Sequence, residues 1–259
     1  MPEVTNGDVT LHVEVDGSGA PVTVFAHGLT NSCRELAPFT PSLGGTAVRF
    51  CFRGHGHSST PEEGYRFADL AADLDAVAGA YGATNAVGTS MGAGAIMKLL
   101  ETDPARFERI VMLLPASLDV PFPDPRRFDA IADILEHHPR DEAIERVLAM
   151  TPQRYERAPW LRELDLLLWA DLNPVGVARA IREITRDVSI SDRELLRKVE
   201  APVLLICREG DSIHPAELGR VLHDLLPSSE LITIPSEEEL LASIPMLVER
   251  VGRFLEASG

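Results

Sequence analysis

Cysteine is scarce in this sequence. Cys33, Cys51 and Cys207 are the only three cysteines among 259 residues, and they lie far apart along the chain. Such an odd, scattered set is unlike a disulfide framework, and it shows none of the short spacings of zinc-binding cysteines. We therefore expect a reduced compartment, no disulfide bonds and no metal.

Positive charge is also in short supply. The chain has 24 Lys and Arg residues against 40 Asp and Glu residues, which gives a formal net charge of -16 at pH 7. Nucleic-acid binding depends on basic side chains that neutralise phosphates, and anionic membrane surfaces select for basic residues in the same way. We therefore expect no nucleic-acid partner and no membrane partner.

The third absence is a long apolar run. No run approaches the roughly 18 to 20 residues that a membrane-spanning helix needs. The first ten residues, MPEVTNGDVT, contain neither the basic region nor the apolar region of a secretory leader. We expect a soluble cytoplasmic protein, and the sequence leaves both a monomer and a homodimer open.

Short apolar runs are present, and they alternate with helical periodicity. Residues 9–15 alternate between apolar and polar, which predicts a half-buried strand at a sheet edge. Continuous apolar stretches predict strands buried on both faces, as in a parallel sheet covered by helices; these are residues 22–26, 47–52, 85–87, 110–114 and 202–207. Apolar residues at helical spacing in residues 66–80 and after Ser90 predict helices between some of these strands. This alternation predicts a doubly wound α/β sheet.

The middle of the chain carries a different pattern. From residue 118 to residue 199 the strand signal is missing, and apolar residues recur at helical spacing between prolines. The predicted helices there are 126–138, 141–150, 160–170 and 174–187. We therefore predict a core from residues 1–117 and 200–259, with residues 118–199 inserted as a helical cap. The core resumes with a helix at 215–226, a strand at 230–234 and a helix at 245–256.

One short motif carries the chemistry. Gly88-Thr89-Ser90-Met91-Gly92 lies between a buried strand and a helix, where small residues allow a sharp turn that exposes the serine. With Phe25-Ala26-His27-Gly28-Leu29 and Arg53-Gly54-His55-Gly56-His57-Ser58, it makes the chain resemble the α/β-hydrolase superfamily, specifically the members with a helical cap. The resemblance covers nearly the whole length and implies the α/β-hydrolase fold.

The resemblance also implies roles for single residues. Ser90 would be the nucleophile, and Asp211, which follows the strand ending at Cys207, would be the acid that orients a histidine. The backbone N–H groups of Leu29 and Met91 would form an oxyanion hole, which stabilises a developing negative charge with donors that are already oriented. The superfamily has glycine where this chain has Arg208, so the acid loop departs from the usual pattern.

The expected histidine is missing. The superfamily places it after the last strand, about seven residues before a proline that precedes the final helix. Counting back from Pro245 reaches Glu238, and its two neighbours are also glutamates. After His223 the chain has no further histidine. The resemblance therefore implies an incomplete triad with a carboxylate at the base position.

Four explanations of this departure stay open. Glu238 could act as the base, because a second carboxylate near Asp211 would have a raised pKa. His214 could substitute, because it lies three residues beyond Asp211 on the same loop. One of His137 and His138 in the cap could reach the site, but not both, because adjacent helical residues point about 100° apart. Finally, the protein could be a non-hydrolytic enzyme such as a lyase, or a silent binding protein.

We predict a small-molecule hydrolase that acts on an ester, lactone or related carbonyl compound at Ser90. The substrate pocket should lie under the cap at the carboxyl ends of the strands. Its predicted contacts are His27, Gly28, Trp160 and Trp169, although His27 and His55 are also expected to hold loops by hydrogen bonds. The sequence has no dinucleotide-binding fingerprint. We therefore expect no cofactor.

Overall fold

The protein is built around one eight-stranded sheet. A computed structural model describes residues 2–256. The strands are β1 (Glu3–Asn6), β2 (Val9–Gly17), β3 (Val22–Ala26), β4 (Thr46–Phe50), β5 (Asn85–Thr89), β6 (Arg109–Leu113), β7 (Val203–Arg208) and β8 (Ser229–Ile234). Their order in the sheet is β1-β2-β4-β3-β5-β6-β7-β8. The fold class predicted from the sequence is confirmed.

One strand, β2, runs opposite to the other seven. β1 pairs antiparallel with β2, and β2 pairs antiparallel with β4. From β4 to β8 each neighbouring pair is parallel. The prediction that residues 9–15 form an edge strand is wrong, because the four residues of β1 cover the outer side of β2. The half-polar pattern of β2 reflects its position near the sheet margin.

The central strands are apolar throughout because both faces of the sheet are covered. In β7, Val203 and Leu205 belong to one apolar cluster, whereas Leu204 and Ile206 belong to the cluster on the other face. Successive side chains of a strand point to opposite faces, so a strand buried on both sides needs an unbroken apolar run. This requirement explains the continuous runs in the sequence.

Ten α-helices are described within residues 2–256. They are α1 (Phe67–Tyr81), α2 (Met91–Thr102), α3 (Arg126–His137), α4 (Arg140–Leu148), α5 (Pro152–Arg157), α6 (Trp160–Leu168), α7 (Pro174–Ile184), α8 (Ala216–Leu225), α9 (Glu237–Ala242) and α10 (Ile244–Glu256). Helices α1, α2 and α8 contribute to the apolar cluster on one face of the sheet, and α10 contributes to the other. The short helices α5 and α9 were not predicted from the sequence.

The five helices between β6 and β7 pack on one another. Residues from α3, α4 and α7 form a separate apolar cluster. Helix α7 also contacts the core, since a Cβ added at Gly176 would lie 2.1 Å from the carbonyl oxygen of Gly54. Within residues 2–256, no helix combines the length and the apolar character that crossing a bilayer requires.

The topology brings three loops together at one sheet edge. Parallel strands β3, β5 and β7 end at the same edge, so the segments that follow them meet there. These segments are residues 27–36, which we call the oxyanion loop, the turn at Ser90, and residues 209–215, which we call the acid loop. The helical layer of residues 118–199 contributes the other wall of the space in front of them.

Candidate active site

Ser90 occupies a strained turn between β5 and α2. Its backbone angles are φ 48° and ψ -105°, in a region that residues other than glycine rarely adopt. Its N–H donates to the carbonyl of Leu113 at 2.9 Å, which ties the turn to the neighbouring strand. A Cβ added at Gly92 would lie 2.0 Å from the carbonyl oxygen of Ala26. The small residues around Ser90 are therefore required by the close approach of α2 to the sheet.

A histidine lies within hydrogen-bond distance of this serine. The Nε2 atom of His214 is 3.0 Å from the Oγ atom of Ser90. The Nδ1 atom of the same ring is 3.1 Å from Oδ2 of Asp211. Because the ionised carboxylate can only accept, Nδ1 carries the proton and Nε2 is free to accept from the serine hydroxyl. Of the imidazoles considered from the sequence, the structure brings His214 to Ser90.

The acid loop holds Asp211 firmly. Its Oδ1 atom accepts hydrogen bonds from the backbone N–H groups of Ile213 at 2.9 Å and His214 at 3.0 Å. Arg208 donates to Oδ2, the atom that also accepts from His214. Burial by itself raises the pKa of the Asp211 carboxyl, but the bonds and charges of His214 and Arg208 lower it well below its usual value. The carboxylate is therefore ionised and fixed in direction.

The structure corrects the placement of Glu238. Ser236 caps α9 by accepting from the backbone N–H of Glu239, so the helix begins at Glu237. Consecutive helical residues point about 100° apart. Glu237 consequently lines the cavity in front of Ser90, whereas Glu238 is exposed to solvent. The carboxylate that the sequence placed at the base position lies outside the cavity wall.

His137 and His138 of the helical layer do not line the cavity in front of the serine. His137 is exposed, and its Nδ1 atom lies 2.8 Å from the carbonyl oxygen of Asp133 in the same helix. His138 lies 3.3 Å from the carboxylate of Glu142. Both rings therefore have partners within the helical layer, outside the cavity wall.

The oxyanion loop lies beside Ser90, since a Cβ added at Gly28 would be 3.7 Å from the Cβ atom of Ser90. Leu29 and Met91 both line the cavity. In the hydrogen bonds formed within residues 2–256, neither of their backbone N–H groups donates to a protein acceptor. Two amides next to the serine, both free of protein partners, are what an oxyanion hole requires.

His27 and Glu35 hold the oxyanion loop in place. Nδ1 of His27 donates to the carbonyl of Gly28 at 2.8 Å, and Nε2 accepts from the N–H of Phe52 at 3.0 Å. The Glu35 carboxylate accepts from the N–H of Gly28 at 2.6 Å and from the side-chain amide of Asn31 at 2.7 Å. Burial raises the pKa of Glu35 to about 7, and these two hydrogen bonds oppose the rise. The sequence did not single out Glu35.

The cavity has a volume of about 600 Å³. One wall is apolar and comes largely from the helical layer, with Phe122, Phe128, Ile131, Met150 and Trp169. Such a space fits a small or medium organic molecule. Of the predicted substrate contacts, Gly28 and Trp169 line the cavity. His27 is instead buried behind the oxyanion loop, and Trp160 is 52% exposed on the outer surface of the helical layer.

The opposite wall is polar and was not foreseen. Arg154, Tyr155 and Asp165 from the helical layer meet Arg208 and Glu237 from the core at this end of the cavity. The five residues come from three separate parts of the sequence, namely residues 154–165, Arg208 and Glu237, and neither spacing nor periodicity connects these parts. Only folding brings them together, so no sequence signal could have identified the group.

The residues most able to hold a metal lie elsewhere. The potential ligand atoms of His12, Glu14 and Cys33 lie within 4.8 Å of one another, outside the cavity wall. However, an Arg49 guanidinium nitrogen is 2.7 Å from the Glu14 carboxylate and already provides it with a cation. The group around Ser90 is composed of a hydroxyl, an imidazole and a carboxylate, a combination suited to nucleophilic chemistry.

Comparison with known proteins adds the wider context. The sequence model of the alpha/beta hydrolase family matches residues 23–238. The AB hydrolase superfamily protein YisY of Bacillus subtilis (strain 168) is 28% identical over 244 residues, with 88% of each chain covered. The 2-(acetamidomethylene)succinate hydrolase of Mesorhizobium japonicum is 25% identical over 264 residues, which cover 97% of this chain and 93% of that protein.

The fold is similar to that of an enol-lactonase from Burkholderia xenovorans LB400. The superposition has a TM-score of 0.83 at 21% sequence identity and covers 99% of this chain and 100% of the other.

Proposed function

Because the chain belongs to the alpha/beta hydrolase family, we propose that it hydrolyses a small organic ester, lactone or related carbonyl compound with Ser90 as the nucleophile. The observation that carries this proposal is the 3.0 Å distance between Nε2 of His214 and Oγ of Ser90. With Asp211 behind the imidazole, the three groups stand in the order that serine hydrolases use. The base comes from the acid loop, three residues after the acid, instead of from the segment that follows β8.

The first half of the reaction forms an acyl-enzyme. Ser90 Oγ attacks the carbonyl carbon while its proton passes to Nε2 of His214. The carbonyl oxygen becomes negatively charged and accepts hydrogen bonds from the N–H groups of Leu29 and Met91. When the carbon–oxygen bond to the leaving group breaks, His214 gives the proton to the departing alkoxide. The product alcohol leaves, or remains tethered if the substrate is a lactone.

The second half returns the enzyme to its starting state. Water attacks the acyl-Ser90 carbonyl and transfers a proton to His214, and the same two backbone N–H groups stabilise the oxyanion. His214 then returns the proton to Oγ of Ser90 as the acid product forms. Throughout, Asp211 keeps the imidazole proton on Nδ1 and stabilises the imidazolium that forms in each half-reaction.

The substrate class is supported by the shape of the cavity and by the similar proteins. A mostly apolar space of about 600 Å³ next to the serine suits an organic ester or lactone more than a large polymer. The names of two similar proteins, an enol-lactonase and a 2-(acetamidomethylene)succinate hydrolase, point to hydrolysis of small molecules. We further propose that residues 118–199 act as a cap that covers this substrate.

Labelling and kinetics of single-residue variants test the proposal. A fluorophosphonate probe should modify the wild-type protein, and Ser90→Ala should abolish the modification. His214→Gln should lower kcat/KM for a simple activated ester by roughly 10²- to 10⁴-fold, the usual contribution of a general base. His223→Gln is the matched control, because His223 is an exposed histidine elsewhere in the core; it should retain wild-type kinetics.

Two results would contradict the proposal. If the probe left the folded wild-type protein unmodified, the non-hydrolytic or silent alternative would replace it. If His214→Gln retained full activity, the imidazole would not be the base. Glu238→Gln is informative as well, because a loss of activity in that variant would make the Glu238 carboxylate a candidate for the general base again.

A further inference from the structure

One carboxylate in the cavity touches two arginines. Glu237 is the first residue of α9, and its Oε1 atom is 3.0 Å from Nε of Arg154. The same oxygen is 3.7 Å from a terminal nitrogen of Arg208. Arg154 lies in the helical layer and Arg208 at the end of β7. Glu237 therefore fills the space between two cations that come from different parts of the fold.

Each of these arginines also holds a second carboxylate. Arg154 pairs with Asp165, which in addition accepts from the Tyr155 hydroxyl at 2.9 Å. Arg208 pairs with Asp211. Together with Asp211, which also lines the cavity, the polar wall thus contains three carboxylates and two guanidinium groups. Each guanidinium already has carboxylate partners.

This arrangement disfavours a substrate that carries its own carboxylate. A fourth negative charge would be placed beside three others, and like charges brought together in a partly desolvated space repel strongly. To pair with both arginines at the position between them, it would have to displace Glu237. Arg127 is a further cation that lines the cavity, but it is exposed, and solvent screens its charge.

We propose that Glu237 is a specificity-determining residue that makes the enzyme selective for uncharged esters or lactones by occupying the position between Arg154 and Arg208. This proposal rests on the hydrolase function proposed above. It follows a general rule, because specificity requires features that reject the wrong partner as well as features that bind the right one.

The test compares two substrates that differ in one remote charge. Dimethyl adipate and monomethyl adipate carry the same reacting methyl ester, but only the second has a free carboxylate. The rate of methanol release gives kcat/KM for each substrate. For the wild-type protein, kcat/KM should be at least about tenfold higher for the diester than for the monoester. Glu237→Gln should narrow this ratio by roughly tenfold, since it leaves both arginines with one carboxylate fewer.

The chain itself provides a matched control. Glu238 is the next residue of the same helix, has the same charge and is exposed outside the cavity. Glu238→Gln should therefore keep the wild-type ratio, although it changes the net charge of the protein by the same amount. Thermal melting of both variants checks that the fold is retained.

A binding measurement separates this inference from the hydrolase function. In the Ser90→Ala variant, which cannot hydrolyse the esters, calorimetry measures the binding affinity for each of them. Adding Glu237→Gln should again reduce the difference in affinity that favours the diester. Equal use or equal binding of the two esters by a protein with Glu237 would overturn the inference. So would an unchanged ratio in folded Glu237→Gln. Failure of the fluorophosphonate probe to label Ser90 would contradict only the hydrolase function.

Discussion

At the scale of single residues, Glu35 combines two properties that oppose each other. Its carboxylate lines the cavity and accepts hydrogen bonds from Gly28 and Asn31, which fixes the oxyanion loop. Burial nevertheless raises its pKa to about 7, from an ordinary value of 4.5. The residue that orders the loop is therefore also one that the folded protein prefers to keep protonated.

This preference predicts a pH dependence of stability. Between pH 4.5 and pH 7 the unfolded chain releases the Glu35 proton while the folded protein retains it, so the free energy of unfolding should fall as pH rises through this range. Glu35→Gln should remove about 1–2 kcal/mol of this decline in unfolding free energy between pH 5 and pH 8, a value reduced because Glu35 is partly exposed to the cavity. Urea unfolding at the two pH values measures it.

The glutamine variant can keep the local hydrogen bonds. Its amide oxygen can accept from Gly28. Its amide nitrogen can donate to Asn31 once the Asn31 amide turns over, which replaces Nδ2 by Oδ1, a buried atom without a partner among residues 2–256. The exposed residue Glu63 supplies the control substitution, Glu63→Gln. An equal pH dependence in wild type and Glu35→Gln would show that Glu35 has an ordinary pKa.

At the scale of elements, α7 joins the helical layer to the core through two glycines. Gly54 has φ +71° in the loop after β4, and Gly176 lies in the first turn of α7 directly against it. Asn173 caps this helix by accepting from the N–H of Gly176 at 3.1 Å. The backbones approach so closely that a side chain at either glycine would push α7 away from the core.

A pair of alanine substitutions tests this contact. Gly176→Ala should destabilise the protein by about 2 kcal/mol or more, because its Cβ would collide with the Gly54 carbonyl. Gly79→Ala in α1 has no atom within 4 Å of the new Cβ and should stabilise by about 0.5–1 kcal/mol through helix propensity. Thermal or urea unfolding compares the two. A harmless Gly176→Ala would mean that α7 does not pack tightly on the core.

At the scale of the whole molecule, two buried histidines connect the loops that support the site. Burial, followed by the charge of His55, lowers the pKa of His27 well below 6.5, and burial lowers the pKa of His55 to about 4. His55 donates from Nδ1 to the carbonyl of Arg53 at 2.9 Å, and its ring centre lies 5.0 Å from that of His27. Both rings are neutral in the folded protein.

The neutral rings predict sensitivity to acid. As pH falls from about 6.5 towards 4, the unfolded chain takes up protons on these histidines before the folded protein does, so their contribution to stability is lost. His55→Asn should reduce the loss of unfolding free energy between pH 7 and pH 5 by about 2 kcal/mol. His223→Asn, at an exposed site, should leave the loss unchanged. Urea unfolding at both pH values provides the measurement.

The sequence by itself determined the parallel sheet, the turn at Ser90 and the position of Asp211 at the end of β7. These features depend on local rules: strands buried on both faces need continuous apolar runs, and a tight strand-to-helix turn needs glycine at positions 88 and 92. Strand β1, which pairs with β2, escaped prediction because four alternating residues at a sheet margin carry too weak a periodic signal.

Tertiary structure alone decided which side chains meet at the site. His214 reaches Ser90 through the path of the acid loop between β7 and α8, and no spacing rule specifies that direction. Because successive helical residues point about 100° apart, Glu237 lines the cavity and Glu238 is exposed to solvent. An error of one residue in the predicted position of α9 therefore assigns the wrong carboxylate to the cavity. Side-chain direction in loops and short helices is set by long-range packing, which a pattern along the chain does not contain.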